Sequence, residues 1–174
     1  MRFRSRSPAN TRALARQLGE AIEALSDARA GALVIGLSGP LGAGKTEWVK
    51  GLAEGLGVDA ALVASPSFVI ASEYPSARPG GCLLAHVDLF RVASQGELES
   101  AGFLDLLAPG RVVAVEWADR MPTALPGDRI EVRIERGGAA EARELAARAT
   151  GPLTRRVVDE WQRRVGGGEA GVPC

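Results

Sequence analysis

The chain is short of cysteine, histidine and lysine, and each shortage removes a class of function. Two cysteines, Cys82 and Cys174, in 174 residues are too few for a disulfide framework or a thiolate metal cage, and they fit a reducing compartment such as the cytoplasm. A single histidine, His86, is by itself more often a structural residue than a ligand. Net charge is lacking too: 21 Lys plus Arg balance 21 Asp plus Glu, so no bulk attraction draws the chain to DNA, RNA or an anionic membrane, and any nucleic-acid contact needs a local patch. No apolar run approaches the ~20 residues of a membrane-spanning helix, and the N-terminus has no uninterrupted apolar segment of the secretory kind. The reading is therefore a soluble, cytoplasmic protein without membrane or DNA partners.

What is present is an ordinary globular composition, 46% hydrophobic and 24% charged, in a length that suits one domain. Residues 1–165 are expected to form it, with 166–174 a disordered tail. The first sixteen residues carry five arginines and no acid, a composition resembling an organellar transit peptide. They read better as a helix start, with Ser7 as N-cap, Pro8 in the first turn, and Leu14, Leu18, Ile22 and Leu25 on one face.

Ala32 to Ser38 is a short apolar run bounded by glycine, as in a strand buried on both faces. A glycine-rich turn follows, then a helix from Lys45 to about Leu56 with Trp48, Val49, Leu52 and Leu56 inward and Gly57 as its left-handed C-cap. Phe68 to Tyr74 reads as a strand, Ser76 to Gly81 as a turn, and Cys82 to Val87 as a strand ending at Asp88. Ser94 and Glu97 are spaced as a capping box. Arg111 to Val115 is a strand ending in Glu116, and Arg129 to Glu135 alternates as a strand with one solvent face. Ala139 to Ala149 has helical propensity, but a two-residue Gly137-Gly138 turn suits a hairpin, which is the preferred reading. Pro152 to Val165 is a closing helix with Leu153, Val157, Trp161 and Val165 in line.

Gly39 to Thr46, GPLGAGKT, satisfies the phosphate-loop pattern and lies between a buried strand and a helix, as that motif requires. Backbone N–H groups of Gly39, Gly42, Ala43 and Gly44 converge on phosphate oxygens, the helix start adds partial positive charge, Lys45 reaches the outer phosphates, and the Thr46 hydroxyl ligates magnesium. Lys45 and Lys50 are the only lysines, which argues against incidental surface charge at Lys45. Asp88 and Glu116 close two strands on the edge where ligands of open α/β sheets bind, so each is a candidate for holding magnesium or orienting water, or simply for capping a turn. Ser65 to Phe68, SPSF, is either a switch segment sensing a γ-phosphate or a plain Ser-Pro turn. The predicted fold class is α/β: a P-loop NTPase-like, mostly parallel sheet with flanking helices and an antiparallel C-terminal hairpin.

In combination GPLGAGKT, SPSF, HVDLFR (86–91) and VEWADR (115–120) resemble the TsaE (YjeE) family, bacterial P-loop ATPases of tRNA threonylcarbamoyladenosine biosynthesis. The resemblance runs from the N-terminal helix to ATGP at 149–152. It implies a magnesium-dependent ATPase, binding ATP and ADP, that works with the TsaB and TsaD proteins and through them on position 37 of tRNAs reading ANN codons. The threonylcarbamoyl group is not transferred by this component, which is thought to drive or reset the partner complex. By motif, Lys45 and Thr46 would hold phosphates and magnesium, Ser67 would sit in the switch segment, Asp88 and Glu116 would serve magnesium and water activation, and Trp117 is the tryptophan beside the acid. Departures are Ser67 where the family usually has Thr, Phe90 where it has Tyr, and Pro40 where it often has an acid. The family also tends to have a strand at 142–149, which agrees with the hairpin.

Two other classes use the same loop. A small-molecule kinase would need a basic lid, and no lid insertion stands between Glu116 and Arg129. A nucleotide-sensing binding module would bind tightly with negligible hydrolysis. No Asn-Lys-x-Asp segment is present to read guanine.

Overall fold

The computed structural model describes residues 1–25, 28, 30–66, 69–166 and 172–173. The chain runs β1 (Arg2–Ser5), α1 (Pro8–Ala24), β2 (Leu33–Ser38), α2 (Lys45–Leu56), β3 (Ala71–Tyr74), β4 (Leu83–Asp88), α3 (Gln95–Ser100), β5 (Arg111–Glu116), β6 (Arg129–Arg136), β7 (Arg143–Ala149), α4 (Pro152–Gly166) and β8 (Val172–Pro173), joined by turns and short 3-10 segments. Among the described residues the strands make one sheet ordered β3-β4-β5-β2-β6-β7-β1-β8. The four strands β4, β5, β2 and β6 are mutually parallel, and the strands outside them pair antiparallel. This is the expected α/β class, with the parallel strands at the centre.

Strand residues that point to opposite faces divide the core in two. Leu33, Ile35 and Leu37 of β2, with Leu84, Val112, Ala114 and Ile130, pack under α1, α2 and α4. Val34 of β2, with Ala85, Val87, Val113 and Val115, packs under Leu98 of α3, Phe103 and Leu125. Being covered on both faces is why β2 is a continuous apolar run. Trp48, Leu52 and Leu56 of α2 are fully buried, each contributing about 1.5–3 kcal/mol through burial.

Helix boundaries follow their local chemistry. Ser7 caps α1 by accepting from the Asn10 N–H (3.2 Å), with Pro8 in the first turn. Gly57, at φ 75°, ends α2 by donating back to the carbonyls of Ala53 and Glu54. The Ser94 hydroxyl caps α3 from Glu97 N–H, while the Glu97 carboxylate reaches back to Ala93 N–H. Two helices touch at glycines: a Cβ on Gly19 of α1 would stand 2.6 Å from Leu52 O, and Cβ atoms on Gly51 and Gly55 of α2 would overlap the backbone carbonyls of Arg12 and Arg16. α4 is joined to the first helix by Trp161, whose indole N–H donates to Leu14 O (2.9 Å) and whose ring lies 5.1 Å from that of Phe3.

Several boundaries differ from expectation. Arg2–Ser5 is a strand, pairing antiparallel with 143–146 of β7, and only its alternating burial of Phe3 and Ser5 marks it. β3 starts at Ala71; within the expected 68–74 strand, Val69 and Ile70 form a bend, and Phe68 lies outside the described residues. The β6–β7 hairpin forms, but not through a two-residue turn: Arg136 pairs with Arg143, and Gly137 N–H donates to Ala142 O (2.8 Å) to close a 137–142 loop. Of the expected tail, Gly166 ends α4, and Val172–Pro173 pairs with Arg4 and Phe3; 167–171 and 174 lie outside the described residues.

α4 begins at Gly151-Pro152 and borrows its cap from far away. Asp128 accepts from Leu153 N–H (2.9 Å), Thr154 N–H (3.1 Å) and Thr154 Oγ1 (2.6 Å). Burial raises the Asp128 carboxyl, but the hydrogen bonds from the Thr154 hydroxyl and the Leu153 and Thr154 amides outweigh it and hold the group below its ordinary 3.8. A carboxylate whose native pKa is depressed stabilises the fold above its unfolded pKa and loses that contribution as pH falls through the native value. Asp128→Ala is therefore expected to cost about 1–2 kcal/mol at pH 7, a deficit that shrinks as both proteins are taken below pH 3.8. Urea denaturation of the pair at neutral and acid pH measures it.

Candidate functional site

The carboxyl ends of β2, β4 and β5 meet at one edge of the sheet, and the segment after β2 is built to approach that edge closely. Gly39 has φ 136°, and a Cβ there would overlap Ile134 O of β6, so the loop leaves β2 in contact with its neighbour strand only because this residue has no side chain. Gly44 is the N-cap of α2 in the left-handed region, and no side chain among the described residues caps the helix. First-turn N–H groups without a capping side chain, backed by the partial positive charge of a twelve-residue helix, make an anion-seeking end. The Ala43 N–H closes a turn onto Pro40 O (3.1 Å).

Lys45 and Thr46 open α2. The Lys45 side chain folds back over its own loop: Nζ donates to Gly39 O (2.8 Å) and Pro40 O (3.1 Å) and lies 3.6 Å from the centroid of the Trp117 ring. It is only 4% exposed. Burial pushes its ammonium below the usual 10.5, opposed by the carboxylates of Glu116, Asp88 and Asp119. Thr46 Oγ1 donates to Glu116 Oε1 (2.7 Å), and His86 Nε2 shares that same oxygen at 3.0 Å. Glu116 and Asp88 are register partners on adjacent parallel strands. Asp88 accepts from Ser65 Oγ (2.9 Å) through one oxygen and from Phe90 N–H (2.8 Å) through the other, so it caps its own turn and also ties the 63–66 segment to the strand end.

Trp117, directly after Glu116, has φ 60° and ψ 35°, a left-handed conformation costing an aromatic residue roughly 1–2 kcal/mol. That turn carries the indole across Lys45, with the Phe90 ring 5.0 Å away. The result is a cleft of about 640 Å³ lined by Lys45, Thr46, Asp88 and Glu116 with Ile70 and Phe90 beside them. The structure thus brings together Gly42, Gly44, Lys45, Thr46, Asp88 and Glu116, with Gly39 and Ala43 behind them in the loop; Ser67 lies outside the described residues. Among the described residues no group of three or more His, Cys, Asp or Glu could hold a metal ion. The side-chain oxygen donors closest to Lys45 include the Thr46 hydroxyl and the Asp88 and Glu116 carboxylates. Such a set suits magnesium, which takes few protein oxygens and completes its shell with phosphate and water.

The family model described as Threonylcarbamoyl adenosine biosynthesis protein TsaE matches residues 5–145. The chain belongs to the TsaE family. It is 44% identical over 131 residues to the tRNA threonylcarbamoyladenosine biosynthesis protein TsaE of Streptomyces coelicolor, covering 75% of this chain and 84% of that one. It is 35% identical over 163 residues to the protein of the same name from Bacillus subtilis, covering 94% of each. The crystal structure of Bacillus subtilis YdiB superposes with a TM-score of 0.69 at 31% identity over 95% of both chains. The family match runs from the end of β1 into β7.

Two residues of this TsaE-family site escaped the sequence. Arg143 donates from Nε to Ala43 O (2.9 Å) and from Nη2 to Gly42 O (3.3 Å), and Arg136 Nη2 donates to Leu41 O (3.3 Å). They are direct cross-strand partners in the hairpin, where like charges repel, and the loop carbonyls between them offset that repulsion. The signal was the pair itself, readable only once the register is known. Holding the carbonyls on this side turns the loop amides the other way. Arg143→Ala is expected to weaken nucleotide affinity about 10-fold with little change in melting temperature, and Arg143→Lys, lacking the planar fork, to restore only part of it. Titration with a fluorescent ATP analogue reads both.

Proposed function

We propose that the protein is the ATP-binding and ATP-hydrolysing component of tRNA threonylcarbamoyladenosine modification, working in the cytoplasm with TsaB and TsaD and reaching tRNA through them. The observation that carries this reading is the junction of Thr46 and Glu116 at 2.7 Å, which unites the start of α2 and the end of β5 in a cleft that already contains Lys45 and Asp88. Family membership supplies the biological setting, and the loop supplies the substrate class.

The reaction makes few covalent demands on the protein. In phosphoryl transfer to water, catalysis is positioning and charge stabilisation. The open N–H groups at Gly44, Lys45 and Thr46 bind phosphate oxygens, and Lys45 leaves Gly39 and Pro40 to meet the outer phosphates. Glu116, 3% exposed, and Asp88 orient the attacking water, and Glu116 accepts its proton. Thr46, Asp88 and Glu116 would hold magnesium, which supplies charge neutralisation on the outer phosphates when bound. Ser65, hydrogen-bonded to Asp88, passes the state of that carboxylate to the segment that follows, Ser67 included.

Phosphate release from MgATP, by the chain alone and with TsaB and TsaD, tests the reading. Slow release that rises sharply with the partners is the expected result. ATP binding without release in either condition would replace the ATPase by a nucleotide-sensing module.

A further inference from the structure

One buried polar residue has no part in that account. His86, the only histidine, is fully buried on β4. Its strand parity puts it on the same face as Leu84 and Asp88, and through Glu116 it is linked to Thr46 at the start of α2. Its Nε2 lies 3.0 Å from Glu116 Oε1, the oxygen that also accepts from Thr46, while its Nδ1 is buried without a hydrogen-bond partner among the described residues. An unpaired buried nitrogen gives up its hydrogen bond to water with nothing in return. Leu84, two residues earlier, fills the same face with an apolar side chain and no such cost, so packing alone does not favour imidazole here.

The geometry points to His86 as a positioning residue that fixes the carboxylate of Glu116 for the hydrolytic step. Facing a carboxylate, Nε2 carries the hydrogen, and with Thr46 it makes two donors to one oxygen. Two donors on Oε1 fix the plane of the carboxylate and leave Oε2, which has no described partner, as the edge turned to the cleft. Thr46 cannot do this alone, because its hydroxyl would be drawn to magnesium when a nucleotide arrives. His86 approaches from the opposite, dry side and keeps its bond whatever occupies the cleft. The role rests on the ATPase reading of Glu116 and adds to it the residue that aims the group.

The test compares the parent with His86→Leu, His86→Asn, His86→Gln and Glu116→Gln in kcat and KM for MgATP, with partners present, and in melting temperature. Gln can place its amide N–H near the position of Nε2, whereas Asn is too short and Leu has no donor. Leu and Asn are expected to lower kcat about 10-fold or more with KM held, and Gln to recover most of the loss. A folded Leu or Asn variant with parental kcat, beside an inactive Glu116→Gln, would overturn the role, as would a Gln variant no better than Leu. An independent readout needs no turnover: with one histidine, the nucleotide-free chain should show a single imidazole Nε2 proton in NMR, protected from exchange and shifted by Glu116→Gln. An Nε2 proton that exchanges freely and ignores Glu116 would overturn the proposal even if a His86 variant failed to fold. If instead Glu116→Gln retained full turnover while that proton stayed protected, the failure would belong to the role given to Glu116.

Discussion

Lys45→Ala is expected to reduce phosphate release to the blank, a fall of about 100-fold or more, and to weaken ATP binding with it. The argument is electrostatic. Lys45 is the one lysine in the cleft, confined at 4% exposure between two carbonyls and an indole face. Exchange of those contacts for phosphate oxygens brings a full positive charge to where negative charge accumulates. Lys45→Arg should not restore turnover, since a planar fork does not fit a pocket shaped around a compact ammonium. Burial already depresses the Lys45 pKa, so the charge is held at a cost. Lys45→Met is therefore expected to melt no lower than the parent while losing turnover. Parental hydrolysis and affinity in Lys45→Ala would remove the loop from the mechanism.

The second large effect is on stability. Gly55→Ala is expected to lower stability by about 2–3 kcal/mol, and the melting temperature by roughly 4–12 °C for a chain of this size. Alanine is the better helix former by about 1 kcal/mol, so propensity alone predicts the opposite sign. Packing decides, because the new Cβ would overlap Arg16 O and meet Gly19 Cα at 2.8 Å. These are backbone atoms of the facing helix, and only separation of α1 and α2 makes room. Gly96→Ala in α3, with nothing within 4 Å, is the control and should be neutral or slightly stabilising. Calorimetry on the two variants separates propensity from packing. Because α2 carries Lys45 and Thr46 at its first turn, Gly55→Ala should also weaken nucleotide binding from a distance.

What could be read from sequence was what depends on neighbours along the chain. The buried β2 run, the glycine loop, the inward face of α2 and the Gly57 cap are all local patterns, and the structure repeats them. So is the placement of Asp88 and Glu116 at strand ends. The interactions that escaped are the ones between distant segments. Arg2–Ser5 is a strand because β7 lies beside it, and Arg-Phe-Arg-Ser has no β signature of its own. Arg143 braces a loop 100 residues earlier, and Asp128 caps a helix that starts beyond a whole hairpin. The Gly137-Gly138 turn failed for a related reason: the register Arg136–Arg143 separates the strand ends by more than two glycines span. The bond from His86 to Glu116 could not be foreseen either, since the spacing on one strand says nothing of which carboxylate stands opposite.

The hydrogen bond from Trp161 to Leu14 joins residues 147 positions apart. At roughly 5–20 residues per second, a ribosome needs roughly 7–30 s to travel between them. Throughout that interval the apolar face of the first helix has emerged but the helix that covers part of it has not. Its early partner is α2, met through glycines, and the nascent chain must keep that half-built layer from associating with other chains. The layer over the first helix is therefore complete only once Trp161 has been made, and a ribosome stalled before residue 161 would present an exposed Leu14 and Leu18 surface to chaperones.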